Sequence, residues 1–445
     1  MLREPKTPFS LTPAALSPRG AQKQIPINRS SQDKTARSPA IWFAVSLWLF
    51  LGGISSTAQS YAWTTVAQFS SPFGICSDPA GRLFVTQLGA SQVRRLTHLG
   101  TNWQADNLGS LGASYAFHGL DVDQTGSIYL ADPWNEAVKR IAWNGTTWVT
   151  TKLAGGWLGS SDGTNGNATF WGLGDVAVDR TGVIYVCDDA NNTIRKVTPN
   201  AADWVVTTIA GRAGVPGSTN GLGTNALFSS PSSIAFDQAG TLYVADTSNC
   251  TIRKLAPVGN DWVVTTLVGV PGSVGNEDGT NTVARFKGPR AIAVDELGNL
   301  YVAESSHTIR KIAPIGGDWV VSTIGGMPDQ AGNADGTGSD ARFHDIDGIT
   351  VDLSGNVYVT DYMNGAIRMG VPSVPPTPLL RLIVNANIAM LSWPVTAKRF
   401  VLEVSSSLSL SSSWTVVEGV VTNGSCCTIT NNTTAAAAFY RLHQR

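Results

Sequence analysis

Disulfide chemistry is almost missing from this chain. Its 445 residues contain five cysteines. Cys76, Cys187 and Cys250 fall at unlike places, and Cys426 and Cys427 are adjacent, so no spaced set exists from which a disulfide framework could be built. Buried thiols are the plain expectation, with a Cys187–Cys250 bridge between neighbouring repeats as the alternative. Charge is also scarce, at 14% of residues, which suits many short strands better than long charged helices. The net charge is −1, but seven basic and two acidic side chains lie in the first 58 residues, so the remainder is acidic by six. That balance argues against a partner held through phosphates, which needs clustered Lys and Arg, so no nucleic acid is expected. The apolar run Ile41–Ile54 has 14 residues, short of the about 20 that span a bilayer. No Ser-His-Asp set, phosphate-cradling glycine loop or H-E-x-x-H motif is present.

What is plentiful is glycine (46) and tryptophan (14). Residues 1–40 are polar, basic and Pro-rich; the apolar run follows, and Ser56-Thr57-Ala58 supplies small residues where a signal peptidase reads. Residues 1–58 are therefore expected to be a signal peptide with a long polar n-region. The mature chain is expected to be secreted, periplasmic or at the cell surface. An uncleaved membrane anchor is the alternative.

Self-similarity dominates the rest. Phe170–Gly211, Phe228–Gly269 and Phe286–Gly326 share F-x5-[IV]-A-[VF]-D-x-x-G-x-[IL]-Y-V, then [ST]-I-R-K, then D-W-V-V-[TS]-T, and weaker copies begin near Phe69, Ser114 and Phe343. The interval from Asp to the aromatic of the second strand is six residues in all six copies, from Asp78–Phe84 to Asp352–Tyr358. Each unit reads as four short strands, with Asp and Gly at the first turn. A lone four-stranded sheet cannot bury both faces, whereas radial stacking of such sheets can. The sixth unit lacks a fourth strand, yet Tyr61–Ala67 (YAWTTVA) matches the WVVTTIA of the others. It is expected to complete the last sheet and close the ring.

With IAVD-x-x-G-x-[IL]-YVAD-x-x-N-x-TIRK in view, the pattern resembles the NHL repeat of six-bladed propellers over about residues 61–371. The resemblance implies an all-β fold, a six-bladed β-propeller at 59–371. A Pro-rich linker (372–378) and a small β-sandwich (379–445) are expected to follow; the tail resembles a short terminal domain of exported bacterial proteins.

Four cross-blade loops, beginning at Trp157, Arg212, Val270 and Met327, are long and rich in Gly, Asn and Asp. Long loops on a rigid scaffold carry binding functions. They should give one face four high walls and a low side at blades one and two. Asp162-Gly163, Asn220-Gly221, Asp278-Gly279 and Asp335-Gly336 recur in them and read as turns, with Ca²⁺ as the one metal their oxygens suit. Asp132, Asp188, Asp246, Glu304 and Asp361 recur at one position, so a structural role is expected. Residues that break the repeat are better site candidates. At the mouth of the inner strands these are His118, Asp175, Ser232, Arg290 and Asp347, which suit an anionic or hydroxyl-rich ligand. Related propeller enzymes, such as lactonases and amidating lyases, hold a metal in this channel, which makes Asp175 and Asp347 the weak metal candidates. His118, His307 and His344 should lie too far around the ring to share one ion. The expectation is a monomeric, non-enzymatic scaffold for a protein or glycan, without a cofactor. The alternative is a metal-dependent hydrolase or lyase.

Overall fold

The computed structural model describes residues 59–373 except 90, 91, 101 and 109–117, and beyond them the backbone of strands between 381 and 444. Six antiparallel sheets of four or five strands form the blades of a β-propeller. In the third blade the strands are Leu173–Val178, Ile184–Asp188, Thr193–Asn200 and Asp203–Gly211. The six-residue Asp-to-Tyr interval has a geometric cause. One oxygen of Asp237 accepts the N–H groups of Ala239 and Thr241 (both 2.8 Å), and the other accepts the Tyr243 hydroxyl (3.2 Å). A single carboxylate thus fixes the turn and anchors the second strand. Asp295–Tyr301 and Asp352–Tyr358 repeat the arrangement.

Apolar side chains fill the spaces between blades. Tyr129, Ala131 and Val138 of blade two pack with Phe170, Val176 and Ile184 of blade three, and Ile75 and Leu83 of blade one meet Tyr358 and Ile367 of blade six. Tyr61–Gln68 pairs antiparallel with Ala366–Pro372, so the first strand of the ring completes the last blade. At this seam Trp63 lies opposite Gly370. Blades three to five place aliphatic pairs there instead: Val206–Val197, Val264–Leu255 and Val321–Ile312. The Trp63 indole is fully buried, donates to the Ile324 carbonyl (2.9 Å) and meets Phe343 edge-on at 5.2 Å. A methyl at Gly370 or Gly325 would collide with it.

The recurring acid and the recurring Arg are partners. Arg253 is wholly buried. It donates to Asp246 (2.7 Å), to the Leu227 carbonyl (2.9 Å) and, from its other terminus, to Asn220 (2.9 Å), and its guanidinium lies 5.1 Å from the centre of the Phe228 ring. Blades three, five and six repeat this as Arg195–Asp188–Asp162, Arg310–Glu304–Asp278 and Arg368–Asp361–Asp335. Blade two has an Asp132–Lys139 pair (2.6 Å) at the corresponding positions. The structural expectation for the recurring acid is met, and the basic residues are interior ones. The Asp-Gly pairs differ from the expectation. Each glycine opens a two-residue fifth strand, such as Gly163–Thr164 paired with Val206 and Val205, while the preceding Asp or Asn reaches inward to the arginine. A loop is thereby latched to its blade by the side chains that looked like turn formers.

Cys76, Cys187 and Cys250 are buried free thiols, so the Cys187–Cys250 bridge does not form. Strands beyond the propeller make a four-stranded and a three-stranded antiparallel sheet. The expected signal segment (1–58) and most of the Pro-rich linker (372–378) lie outside the described residues, as does much of the junction behind the expected low side of the face (109–117). No helix among the described residues is long and apolar enough to cross a membrane.

Candidate functional site

The inner strands of all six blades surround an axial cavity of about 560 Å³, and His118, Asp175, Ser232, Arg290 and Asp347 all line it. They do so because each lies at or near the start of its blade's inner strand, where the cross-blade loop delivers the chain to the axis.

The mouth has two unlike sides. On one, Phe73 of blade one stacks on His118 of blade two (4.7 Å between ring centres, 24° between planes), and Tyr362 of blade six meets Phe73 edge-on at 6.1 Å. Burial holds the His118 pKa below the usual histidine value, with partial compensation from a hydrogen bond to the Leu173 backbone, which favours the neutral ring. On the other side, Arg290 pairs with Asp347 (2.9 Å) and approaches Asp345 (3.5 Å). Burial pushes Asp347 up to about 6, against the pull of the Arg290 guanidinium. Ser232 donates to the Arg290 carbonyl (2.7 Å) and shares a hydrogen bond with Thr247 (2.6 Å). His307 and His344 stand together at the edge of this side, 5.6 Å apart, and His307 Nδ1 accepts the Asp345 N–H. His118 belongs to the opposite, aromatic side.

Deeper in the channel the carboxylates join blade to blade. Asp175 of blade three accepts the Ser233 hydroxyl (2.6 Å) and the Ile234 N–H (3.2 Å) of blade four, while its other oxygen takes the Val176 N–H (2.8 Å). Ser233 in turn accepts the Ile292 N–H of blade five (3.1 Å). Asp121 of blade two accepts the Val178 N–H of blade three (2.8 Å). Sequence reasoning missed Asp121. Its signal was Leu120-Asp-Val-Asp123, which places an acid where blades three to five carry Ala177, Ala235 and Ala293. Gly119 is required beside this chain of contacts, since a methyl there would overlap the Asp175 carboxylate. Among the described residues no group of three or more His, Cys, Asp or Glu is placed to hold a metal ion.

These acids make a pH prediction. Burial raises Asp121 to about 7 and Asp175 to about 6, against hydrogen bonds that lower both. Their folded pKa values exceed the unfolded ones, so between about pH 4 and 7 the native state binds more protons than the unfolded chain. Their contribution is most favourable below about pH 4 and declines as pH rises through 6 and 7, by up to about 1.4 kcal/mol per pH unit for each group. Urea unfolding of wild type and Asp121→Asn at pH 5 and pH 8 measures this. The variant should lose less stability between the two pH values than wild type, and equal losses would refute the assignment.

The NHL repeat matches residues 228–255, which carry Phe228, Asp246 and Arg253 of the blade-four ion network. The chain is an NHL-repeat β-propeller. Among curated proteins, this NHL propeller is 29% identical over 281 residues to human NHL repeat-containing protein 2, covering 56% of this chain and 38% of that protein. It is 26% identical over 213 residues to Teneurin-3 of Danio rerio, covering 42% and 8%. The NHL propeller thus spans well under half the length of these relatives. Among solved structures it resembles a Bacteroides thetaiotaomicron protein of unknown function (TM-score 0.55, 21% identity, 71% of this chain and 77% of that one). It also resembles an auxiliary nutrient binding protein from Bacteroides ovatus (TM-score 0.53, 16% identity, 71% and 78%). At these identities the likeness is one of fold.

Proposed function

We propose that this NHL propeller is an exported, non-enzymatic binding scaffold that takes a protein or glycan ligand on its long-loop face, centred on the channel mouth. The observation that carries this reading is the two-sided mouth. Phe73, His118 and Tyr362 offer ring faces, and Arg290, Asp347 and Ser232 offer donors and acceptors across the opening. Such a pairing suits a ligand with an apolar face and a polar or anionic edge. The deeper acids Asp121 and Asp175 support binding over catalysis, because their oxygens are engaged by N–H groups of the next blade. The Bacteroides ovatus propeller is described as an auxiliary nutrient binding protein, a role of the same class. Export rests on the Ile41–Ile54 run and Ser56-Thr57-Ala58; cleavage after Ala58 would leave Gln59 and Ser60 ahead of the closing strand.

A glycan array with a pull-down on the mature protein, accompanied by metal analysis, tests the reading. Arg290→Ala and His118→Ala should each weaken the ligand found by about tenfold or more, with no metal requirement. A stoichiometric Ca²⁺ or Zn²⁺ that is lost in Asp175→Ala or Asp347→Ala, together with lactone hydrolysis or lyase activity, would replace the scaffold by a metal-dependent enzyme.

A further inference from the structure

The long-loop face carries a second depression, of about 550 Å³, over blades two and three. Trp134, Glu136, Lys139, Lys152, Trp157 and Leu158 line it. Trp134 sits on the loop between the second and third strands of blade two, and Trp157 at the crest of the crossing into blade three. The indoles are 63% and 74% exposed, and Leu158 is 65% exposed. Large rings this exposed are the informative exception on a protein surface.

The repeat does not require them. Its own tryptophans, Trp204, Trp262 and Trp319, lie in the fourth strands and are buried or half-buried. Ala190 and Ser248 occupy the Trp134 position in blades three and four. The crossing from Gly155 to Gly159 is also two residues shorter than the corresponding Gly211 to Gly217, as judged by the N–H bonds of Gly159 and Gly217 to Phe170 and Phe228. Blade two thus departs from its siblings in both loops that frame the depression.

The polar groups around the indoles narrow the occupant. Glu136 accepts the Gly172 N–H (2.9 Å), and Lys139 pairs with Asp132 (2.6 Å). The Lys152 ammonium lies beside Gly156, where a side chain would displace it. Lys139 and Lys152 against Asp132 and Glu136 sum to zero charge. A net anion or cation therefore gains little. A purely apolar side chain would strip water from the ammonium and carboxylate without replacing it, which is costly. A ring with flat C–H faces and hydroxyls at its edge fits both features. The faces lie on indole, and the hydroxyls donate to carboxylate and accept from ammonium.

We propose that this depression binds a pyranose ring of a neutral oligosaccharide. The site shares its face and ligand class with the scaffold reading above but none of its residues, so either can fail alone. Affinity electrophoresis of the full mature protein through gels containing a neutral β-glucan, α-glucan, mannan or xylan, with polygalacturonate as the acidic comparison, tests it. At least one neutral polymer should retard the wild type. Trp134→Ala and Trp157→Ala should each weaken that binding by about tenfold, Trp157→Phe should retain part of it, and Val274→Ala, at an exposed apolar residue of the crossing into blade five that lines neither site, should leave it unchanged. No retardation by any neutral polymer, retardation by polygalacturonate alone, or retardation indifferent to both tryptophan variants overturns the proposal. Retardation lost in Arg290→Ala but kept in the tryptophan variants would overturn it too, and would favour the channel mouth.

Discussion

Arg253→Met is expected to lower the stability of the protein by about 3–5 kcal/mol, the usual result of removing one member of a buried ion pair. The volume is nearly conserved, so the loss is electrostatic. Asp246 would keep the Ser229 N–H (2.7 Å) and Asn249 amide (2.8 Å) but lose the cation it pairs with. The Leu227 carbonyl and Asn220 would lose a donor as well, and with them the latch on the loop after blade three. Burial already raises the Asp246 pKa, with the guanidinium opposing it. Without Arg253 the folded value rises further above the unfolded one, and protonation removes the stranded charge. The deficit relative to wild type should therefore shrink as pH falls from 8 to 5. Chemical unfolding at both pH values reads this out. A deficit below 1 kcal/mol, or one that grows in acid, would mean that the network is not a mutually dependent unit.

Trp63→Ala at the seam should cost a similar amount, about 3–5 kcal/mol for a large aromatic removed from a packed core. The more discriminating experiment uses the pair. Gly370→Val alone overpacks against the indole and should be destabilising by about 1–3 kcal/mol. Combined with Trp63→Val it restores the aliphatic pairing that blades three to five carry at this register. The double variant should be more stable than the sum of the single losses predicts, by at least 1 kcal/mol, because the two positions share one space. Simple additivity would show that the indole and the glycine are not matched to each other.

Much of this was legible in the sequence because repetition multiplies a weak signal. One Asp-x5-Tyr interval says little, but six in register fixed the first turn of every blade. The closing strand was readable because Tyr61–Ala67 repeats an outer-strand pattern just where the sixth unit lacks one. The ion network was half legible. Asp246 and Arg253 were each seen to recur, but their contact depends on strand register, with Ala245 opposite Ile252 and Asp246 opposite Thr251. Asn220 joins them from a loop whose path no local pattern specifies. At the mouth, the five candidates were found by asking which residues break the repeat, and they do line one cavity. The same question passed over Asp121, hidden inside a motif whose final Asp123 drew attention, and over Trp134 and Trp157, whose significance lies in exposure. Exposure is a property of the folded surface and leaves no periodic trace.

The pairing of Trp63 with Gly370 also orders events in time. The strand made first in the ring finds its native partner only when the strand made last arrives, since Tyr61–Gln68 pairs with Ala366–Pro372. Five blades can assemble from neighbours as they emerge, each by short-range hairpins. The sixth joins segments from opposite ends of the propeller, so its closure is expected to come last. Opening should begin where closing ended. Amide protons of Trp63–Thr65 and Arg368–Gly370 are then expected to exchange through a partial opening that leaves blades three and four protected.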